Sequence, residues 1–467
     1  MKRRLPERFE VEIVSLGERG VGLGTAPDGR PIRVHGAPPG SRVRVVPLGR
    51  SKGVWEARRE TLIRPPPAYA VPQCPSFGTC GGCVFQELDA DAQRTLKSNA
   101  AMEAVARGLG VAVGDLPMRG CVPASESYGY RNRVELGFAP RRWLSAEDKA
   151  RGLEIPGRWL GFHAPGRFDR VVDVERCWLA GDATNAVITA VRSVALLPDA
   201  PPPWDAKDHT GFWRQVLIRE TDAGDVFVAL YTATGDEAWP ARVADAVQQA
   251  DLGAKRLVGF DWYLNDGVAD VARGTLGRRW GADRFTEKLG DVEFSLSPNA
   301  FFQTSTRGAR VLYDVIGDAL GGGGTLLDLY CGVGSIGLYH AGRFERVVGV
   351  EEVADAVADA ALNAAKNGIT HATFRAAKVE DALGVLDEVV GRRSIVVDPP
   401  RAGLHPKVAK SLASASADVL VYVACHPPSL GRDAPVLLAG GWKLDALWTV
   451  DIFPQTHHLE AVARFVR

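Results

Sequence analysis

Residues 325–351 read TLLDLYCGVGSIGLYHAGRFERVVGVE. The apolar run TLLDL passes directly into Gly332, Gly334 and Gly337 in GxGxxG spacing, and a second apolar run closes on Glu351. A continuous apolar stretch bounded by glycines predicts a strand buried on both faces, then a tight turn and a helix start. Glycine lets the backbone approach a ligand closely, and a carboxylate at the end of the next strand stands where a ribose hydroxyl needs an acceptor. The pattern is that of a nucleotide-type pocket, which NAD enzymes and S-adenosylmethionine enzymes satisfy alike, and which a plain packing turn also mimics.

The rhythm around this stretch continues it. Further strands are predicted at TFRAA from Thr373, SIVVD from Ser394 and VLVYVAC from Val419, and EEVADAVADAALNAAKNG between the second and third reads as a helix ending in Asn-Gly. Alternation of β and α at this spacing predicts an α/β, doubly wound Rossmann-like domain with its ligand at the carboxyl ends of the strands. Those ends carry reactive groups: VVDPPRAGL places Asp398 after the fourth strand, and VYVACHPP places Cys425 after the fifth. Proline follows Asp398 directly and Cys425 after one residue, and it stiffens the backbone there. Near the C-terminus FPQTHHLEAVARF holds Gln455, His457, His458 and Glu460 before a last apolar strand. Glu460 there is a candidate desolvated general base, although a glutamate at a strand start is ordinarily exposed.

Upstream the pattern differs. Period-two alternation in FEVEI, PIRVH and SRVRVV, with glycine-rich turns between, predicts a small antiparallel barrel over 1–64, closed by Pro65 to Pro67. Residues 1–67 hold 14 Lys+Arg against 7 Asp+Glu, while the 467-residue chain as a whole has net charge zero. A basic module on an acidic body is a foothold for a phosphate backbone, or simply a solvated basic face. Residues 65–290 form a second, central region that opens with a long helix at 87–110, for which packing on the C-terminal domain is the alternative, and continues with short strands such as YRNRVELGF and QVLIRE; 291–467 form the third. No apolar run approaches a membrane span and the start MKRRLPERFE lacks a signal peptide, so a cytoplasmic location is expected.

Seven cysteines in a large chain without a signal peptide argue against disulfides. Cys74, Cys80 and Cys83 form C-x5-C-x2-C within CPSFGTCGGC, and Cys177 in ERCWL is the candidate fourth ligand, since Cys331 and Cys425 belong to the other cleft. The spacing is closer to ferredoxin-type ligation than to a zinc knuckle. Cys121 reads as structural.

Taken in order, CPSFGTCGGC, YGYRNRVELGF, FSLSPNAFFQT, DLYCGVGSIGL, VVGVE, VVDPPRAGL, VACHPPSLGRD and FPQTHHLE, behind a basic barrel like a TRAM module, resemble the RNA uracil-5-methyltransferase family in its iron-sulfur, large-ribosomal-RNA branch. The resemblance spans nearly the whole chain. It implies an OB-like TRAM barrel, a central α+β iron-sulfur domain and a methyltransferase domain that makes 5-methyluridine in 23S rRNA, with transfer RNA as the alternative substrate. It further implies that Gln303, Tyr330, Gly332, Gly334, Glu351 and Asp398 line the S-adenosylmethionine site, that Cys425 is the nucleophile and Glu460 the base, and that Cys74, Cys80, Cys83 and Cys177 hold a 4Fe-4S cluster. RNA is the implied partner, with no membrane, no obligate protein partner and a monomeric state expected. The family's usual Ser-Cys-Asn-Pro reads Ala424-Cys425-His426-Pro427 here, which bears on rate or substrate preference. Tyr128, Tyr130, Phe162 and Phe168, near Arg131, Arg133 and Arg167, are candidates for stacking on bases. Two other classes fit parts of the sequence: an NAD-dependent oxidoreductase, which leaves Cys425 and Glu460 idle, and a non-catalytic RNA-binding protein with a lapsed methyltransferase domain.

Overall fold

The structure, a computed structural model, describes residues 7–124, 126–144, 148, 150–152, 156–269, 271–387 and 391–467. Its largest sheet has eight strands, numbered here β1 (Met118–Pro123), β2 (Thr325–Leu329), β3 (Arg346–Glu351), β4 (Ala372–Ala376), β5 (Arg393–Val397), β6 (Val419–Ala424), β7 (Lys443–Asp451) and β8 (Glu460–Val466). Their order across the sheet is β4-β3-β2-β5-β6-β8-β7-β1. The first five in that order run parallel, and β8 turns antiparallel to both β6 and β7. Strands β2, β6 and most of β5 are buried along their length, as unbroken apolar runs require when both faces are covered.

Helices α1 (Ala90–Leu109), α2 (Thr306–Leu320), α3 (Ser335–Tyr339), α4 (Ala354–Lys366), α5 (Pro406–Ser414) and α6 (Pro427–Ala439) belong to the same unit. The α1 N-cap Asp89 accepts from Ala92 N at 2.8 Å, and the helix stops at Gly110 with φ of 70°. This helix packs against α6 so tightly that a Cβ on Gly108 would lie 2.4 Å from the Gly431 backbone. Together with β1, which pairs with β7, it places residues 90–123 in the eight-stranded unit, although the sequence reading set them at the start of the central region 65–290.

The N-terminal six-stranded sheet begins with Phe9–Glu12 and ends, in its pairing order, with Ser15–Leu16. The two edges are therefore successive pieces of one bent segment, with Ile13 N donating to Ser41 and Val14 N to Leu23. One pair in it, Ile32–His35 with Trp55–Arg58, is parallel, where alternation predicted an all-antiparallel arrangement. The central unit is a seven-stranded sheet with helices Asp182–Ala195 and Ala238–Gln248 packed against it.

Candidate active site

Sheet register brings the reactive groups into a row. Tyr330 and Cys331 donate their N–H groups to Val350 O, so the turn after β2 lies beside Glu351. Leu329 pairs with Val397, which sets Asp398 next to Tyr330 on the other side. Ala424 pairs with Ala461 across the antiparallel β6–β8 ladder, and the next residues outward, Cys425 and Glu460, therefore face each other. The cleft above these strand ends has a volume of about 1840 Å³, and Gln303, Tyr330, Gly332, Glu351, Asp398, Cys425 and Glu460 all line it.

The glycine-rich turn is held by carboxylates. Asp328, wholly buried, accepts from Gly337 N at 2.8 Å through one oxygen, and its other oxygen has no hydrogen-bond partner among the described residues. Glu351 accepts from Gly332 N at 3.1 Å and from Val353 N at 2.9 Å. Gly334 does not reach the cleft wall. It serves the turn itself, with φ of +76° and a would-be Cβ 2.9 Å from the Phe374 ring.

Burial dominates the electrostatics. It lifts the Asp328 and Asp398 carboxyls to about 7 and Glu460 to about 8, and for Glu460 the neighbouring Asp398 adds to the rise while Arg401 opposes it. The Cys425 thiol is pushed up to about 12, by burial first and then by Glu460 and Asp398, with Arg401 again opposing. Glu460 is 4% exposed, the reverse of what a glutamate at a strand start ordinarily does. A cleft floor of carboxyls suits a cationic ligand such as a sulfonium. His426 caps α6 through its carbonyl, which accepts from Ser429 N and Oγ at 2.8 and 2.7 Å, and its ring is held below the ordinary value by burial.

Sequence reading passed over Arg401, Asp433, Gln93 and Lys97. Asp433 accepts from Leu404 N and from Tyr422 OH, both at 2.8 Å, fixing the DPPRAGL loop to α6 and β6. Arg401 was visible within that motif and Asp433 at the end of VACHPPSLGRD, whereas no local signal marks Gln93 and Lys97. Among the proposed stacking aromatics, Tyr130 is buried with its hydroxyl on Pro454 O at 2.8 Å, and Phe162 packs against core residues. Core packing removes Tyr130 from base stacking, Phe162 and Tyr128 are half-buried, and Phe168 is 65% exposed. His457 and His458 pack ring to ring, with both imidazoles lowered to about 4 by burial.

Cys74, Cys80, Cys83 and Cys177 are all unpaired thiols, and each of the first three is made harder to ionise by Cys177. The four therefore gather in space across a long sequence separation. Cys74 N donates to Gln86 Oε1 at 3.1 Å and Cys177 N to Asn185 Oδ1 at 2.8 Å, which fixes both ends of the group. Among the described residues no three His, Cys, Asp or Glu converge as a single metal ion would require. Likewise, no helix among them is long and apolar enough to cross a membrane.

A parallel sheet with a reversed strand near one end, a glycine-rich turn after β2 and carboxylates beneath it define an S-adenosylmethionine-dependent methyltransferase. Residues 289–465 match the family described as tRNA (uracil-5-)-methyltransferase. Over its full length the chain is 33% identical to an RNA methyltransferase of Chlorobaculum tepidum, covering 98% of that protein. It is 32% identical to the tRNA (uracil(54)-C(5))-methyltransferase of Pyrococcus horikoshii, covering 92% of this chain and 94% of that one. The crystal structure of the Pyrococcus abyssi tRNA (uracil-54, C5)-methyltransferase with S-adenosyl-L-homocysteine superposes with a TM-score of 0.73 at 26% identity, over 98% of this chain and 100% of that one. The chain belongs to the RNA uracil-5-methyltransferase family, whose members are S-adenosylmethionine-dependent enzymes.

Proposed function

We propose that the protein methylates C5 of a uridine in RNA through a covalent adduct between Cys425 and C6. The observation that carries this reading is the facing of Cys425 and Glu460 at the open end of one antiparallel ladder, beside Asp398. Uracil C5 is a weak nucleophile. Addition of the Cys425 thiolate to C6 makes an S–C6 bond and moves the C5=C6 pair into an enolate, so that C5 becomes electron-rich. S-adenosylmethionine, when bound, supplies an electrophilic methyl group to that carbon. Glu460 as carboxylate then takes the C5 proton, the C–H pair re-forms C5=C6, and the S–C6 pair leaves with Cys425 as thiolate. Gln303, Tyr330, Gly332, Glu351 and Asp398 would hold the donor, with Gly334 shaping the turn beneath it. Arg401 is the cation that favours the Cys425 thiolate.

The gathered thiols of Cys74, Cys80, Cys83 and Cys177 fit a 4Fe-4S cluster, which separates its ligands further than one ion does and would clamp 74–83 to the central unit. The basic N-terminal sheet would serve as a TRAM-like grip on the RNA backbone, and a cytoplasmic location follows from such a substrate. The resemblance to the iron-sulfur, large-ribosomal-RNA branch, carried in part by the ordered cysteine set, favours 23S rRNA as substrate. Likeness over nine-tenths of the chain to an enzyme named for uridine 54 of tRNA supports transfer RNA as the second reading. Incubation with S-adenosylmethionine and ribosomal or transfer RNA carrying 5-fluorouridine decides between them, because C5 then has no proton for Glu460 to remove. A donor-dependent band shift on a denaturing gel, lost in Cys425→Ala, is expected with one RNA; no shift with either would refute the adduct.

A further inference from the structure

The segment between β7 and β8 ends on Glu460, yet little of its own backbone regularity holds it in place. Its supports come from far away in the chain. Lys97, in the middle of α1 and buried, places Nζ 2.5 Å from Asp451 Oδ1, 3.2 Å from Phe453 O and 3.3 Å from His458 O. One turn earlier, Gln93 makes a reciprocal amide pair with Gln455: Gln93 Nε2 donates to Gln455 Oε1 and Gln455 N donates to Gln93 Oε1, each at 2.9 Å. Gln455 has φ of 68°, a strained value for a residue with a side chain, so this contact holds a conformation the segment would not adopt alone. The strained Gln455 carbonyl in turn accepts from Val84 N at 2.8 Å and Phe85 N at 3.1 Å, immediately after Cys83.

From this we infer that Lys97 and Gln93 are positioning residues for the second half of the reaction: they fix the 451–458 segment, and through it the direction in which Glu460 meets the C5 proton. A helix that precedes the central unit thereby governs the release step. Neither residue lines the cleft, so neither touches substrate or donor. The groups that face Glu460 directly are Asp398, Arg401 and Cys425, on the strand ends and loop opposite, whereas the hydrogen bonds of Lys97 and Gln93 go to Asp451, Phe453, His458, Leu88 and Gln455. The inference rests on the adduct mechanism proposed above, and it separates the two halves of that mechanism. Addition of Cys425 and methyl transfer need no base at Glu460, whereas proton removal does.

The test is to incubate Lys97→Met, Lys97→Arg and Gln93→Leu with S-adenosylmethionine and RNA bearing ordinary uridine, and to read trapped adduct on denaturing gels beside turnover and donor affinity. Expected for Lys97→Met is a fall in kcat on the order of 10- to 100-fold, the loss that displacement of a reacting group by about an ångström produces. Donor affinity should stay within about twofold while a donor-dependent adduct, absent from wild type at steady state, accumulates. Lys97→Arg, which keeps the cation, should restore turnover in part. Gln93→Leu leaves no buried charge unpaired and decides the matter if Lys97→Met does not fold. Loss of turnover without adduct in the folded variants, or turnover unchanged, overturns the inference while leaving the methyltransferase reading intact. Failure of wild type to form any adduct on 5-fluorouridine RNA overturns both.

Discussion

Replacing Glu460 by glutamine should make the protein more stable while ending its turnover, and the gain should depend on pH in a defined sense. The folded chain holds this carboxyl at about 8 against an ordinary value of 4.5, with burial as the main cause and Asp398 adding to it. Between those two values the unfolded chain is ionised and the folded chain is protonated. Stability contributed by the group is therefore complete below about 4.5 and is lost as pH rises through 8. At ~1.4 kcal/mol per pH unit, the roughly three units between 4.5 and 7.5 correspond to an expected gain of about 4 kcal/mol. Glutamine keeps the shape and removes the titration. Thermal melts of wild type and Glu460→Gln from pH 4.5 to 8.5 should coincide at the acid end and diverge by several degrees at the alkaline end, with Glu460→Gln the higher. Parallel curves with no pH-dependent gap would refute the reasoning, because they would mean the carboxyl ionises in the folded state much as it does in the unfolded one.

Arg401→Met removes the cation that opposes the rise of the Cys425 thiol, so alkylation of Cys425 by iodoacetamide should slow at pH 8 and its pH midpoint move further alkaline; an unchanged profile would show that Arg401 does not act on the thiol. Gly334→Ala forces a Cβ toward the Phe374 ring at a φ of +76° and should cost roughly 1–2 kcal/mol, weakening S-adenosylmethionine binding about tenfold by titration calorimetry. Cys177→Ser should lower iron and acid-labile sulfide per chain and bleach the visible absorbance of anaerobically prepared protein, and full retention of both would exclude Cys177 as a ligand. The kcat of wild type should rise from pH 6 to pH 8.5 as Glu460 becomes the carboxylate that the release step needs; a flat profile would place the limiting step elsewhere.

What sequence reading could reach was set by how local each signal is. Strands β2 to β6 announce themselves as short apolar runs, and Asp398 and Cys425 as the polar residues that end two of them, so the row of groups at the strand ends was legible. The Asn-Gly after α4 gave its end for the same reason, with Gly368 at φ of 66°. Register across β6 and β8 was not legible, and without it Glu460 reads as an exposed strand start rather than a buried partner of Cys425. Strand β1, MRGCVP, has no apolar run of its own because it lies at the edge of the sheet. Lys97 and Gln93 on α1 look like ordinary solvent-facing helix residues; only tertiary packing turns them inward. Tyr130 was proposed as a stacking residue for its neighbours in sequence, and its burial against the 454 backbone is likewise a long-range fact.

Strand β1 pairs with β7, and Ala124 N then donates to Asp451 O, so the chain leaves this sheet at one edge and builds a complete seven-stranded sheet before it returns. The central unit is thus an insertion within the methyltransferase unit. On the ribosome, β1 and α1 emerge early and wait for β7, which comes almost last, while the inserted sheet can close on its own strands in between. A fragment cut at residue 291 would carry β7 as an open edge and leave the α6 surface that α1 covers bare, inviting pairing with a second chain. Dissection of the protein into working parts therefore calls for a graft, joining a segment from about Pro66 through Ala124 to the chain from Arg284 onward, rather than for a single cut.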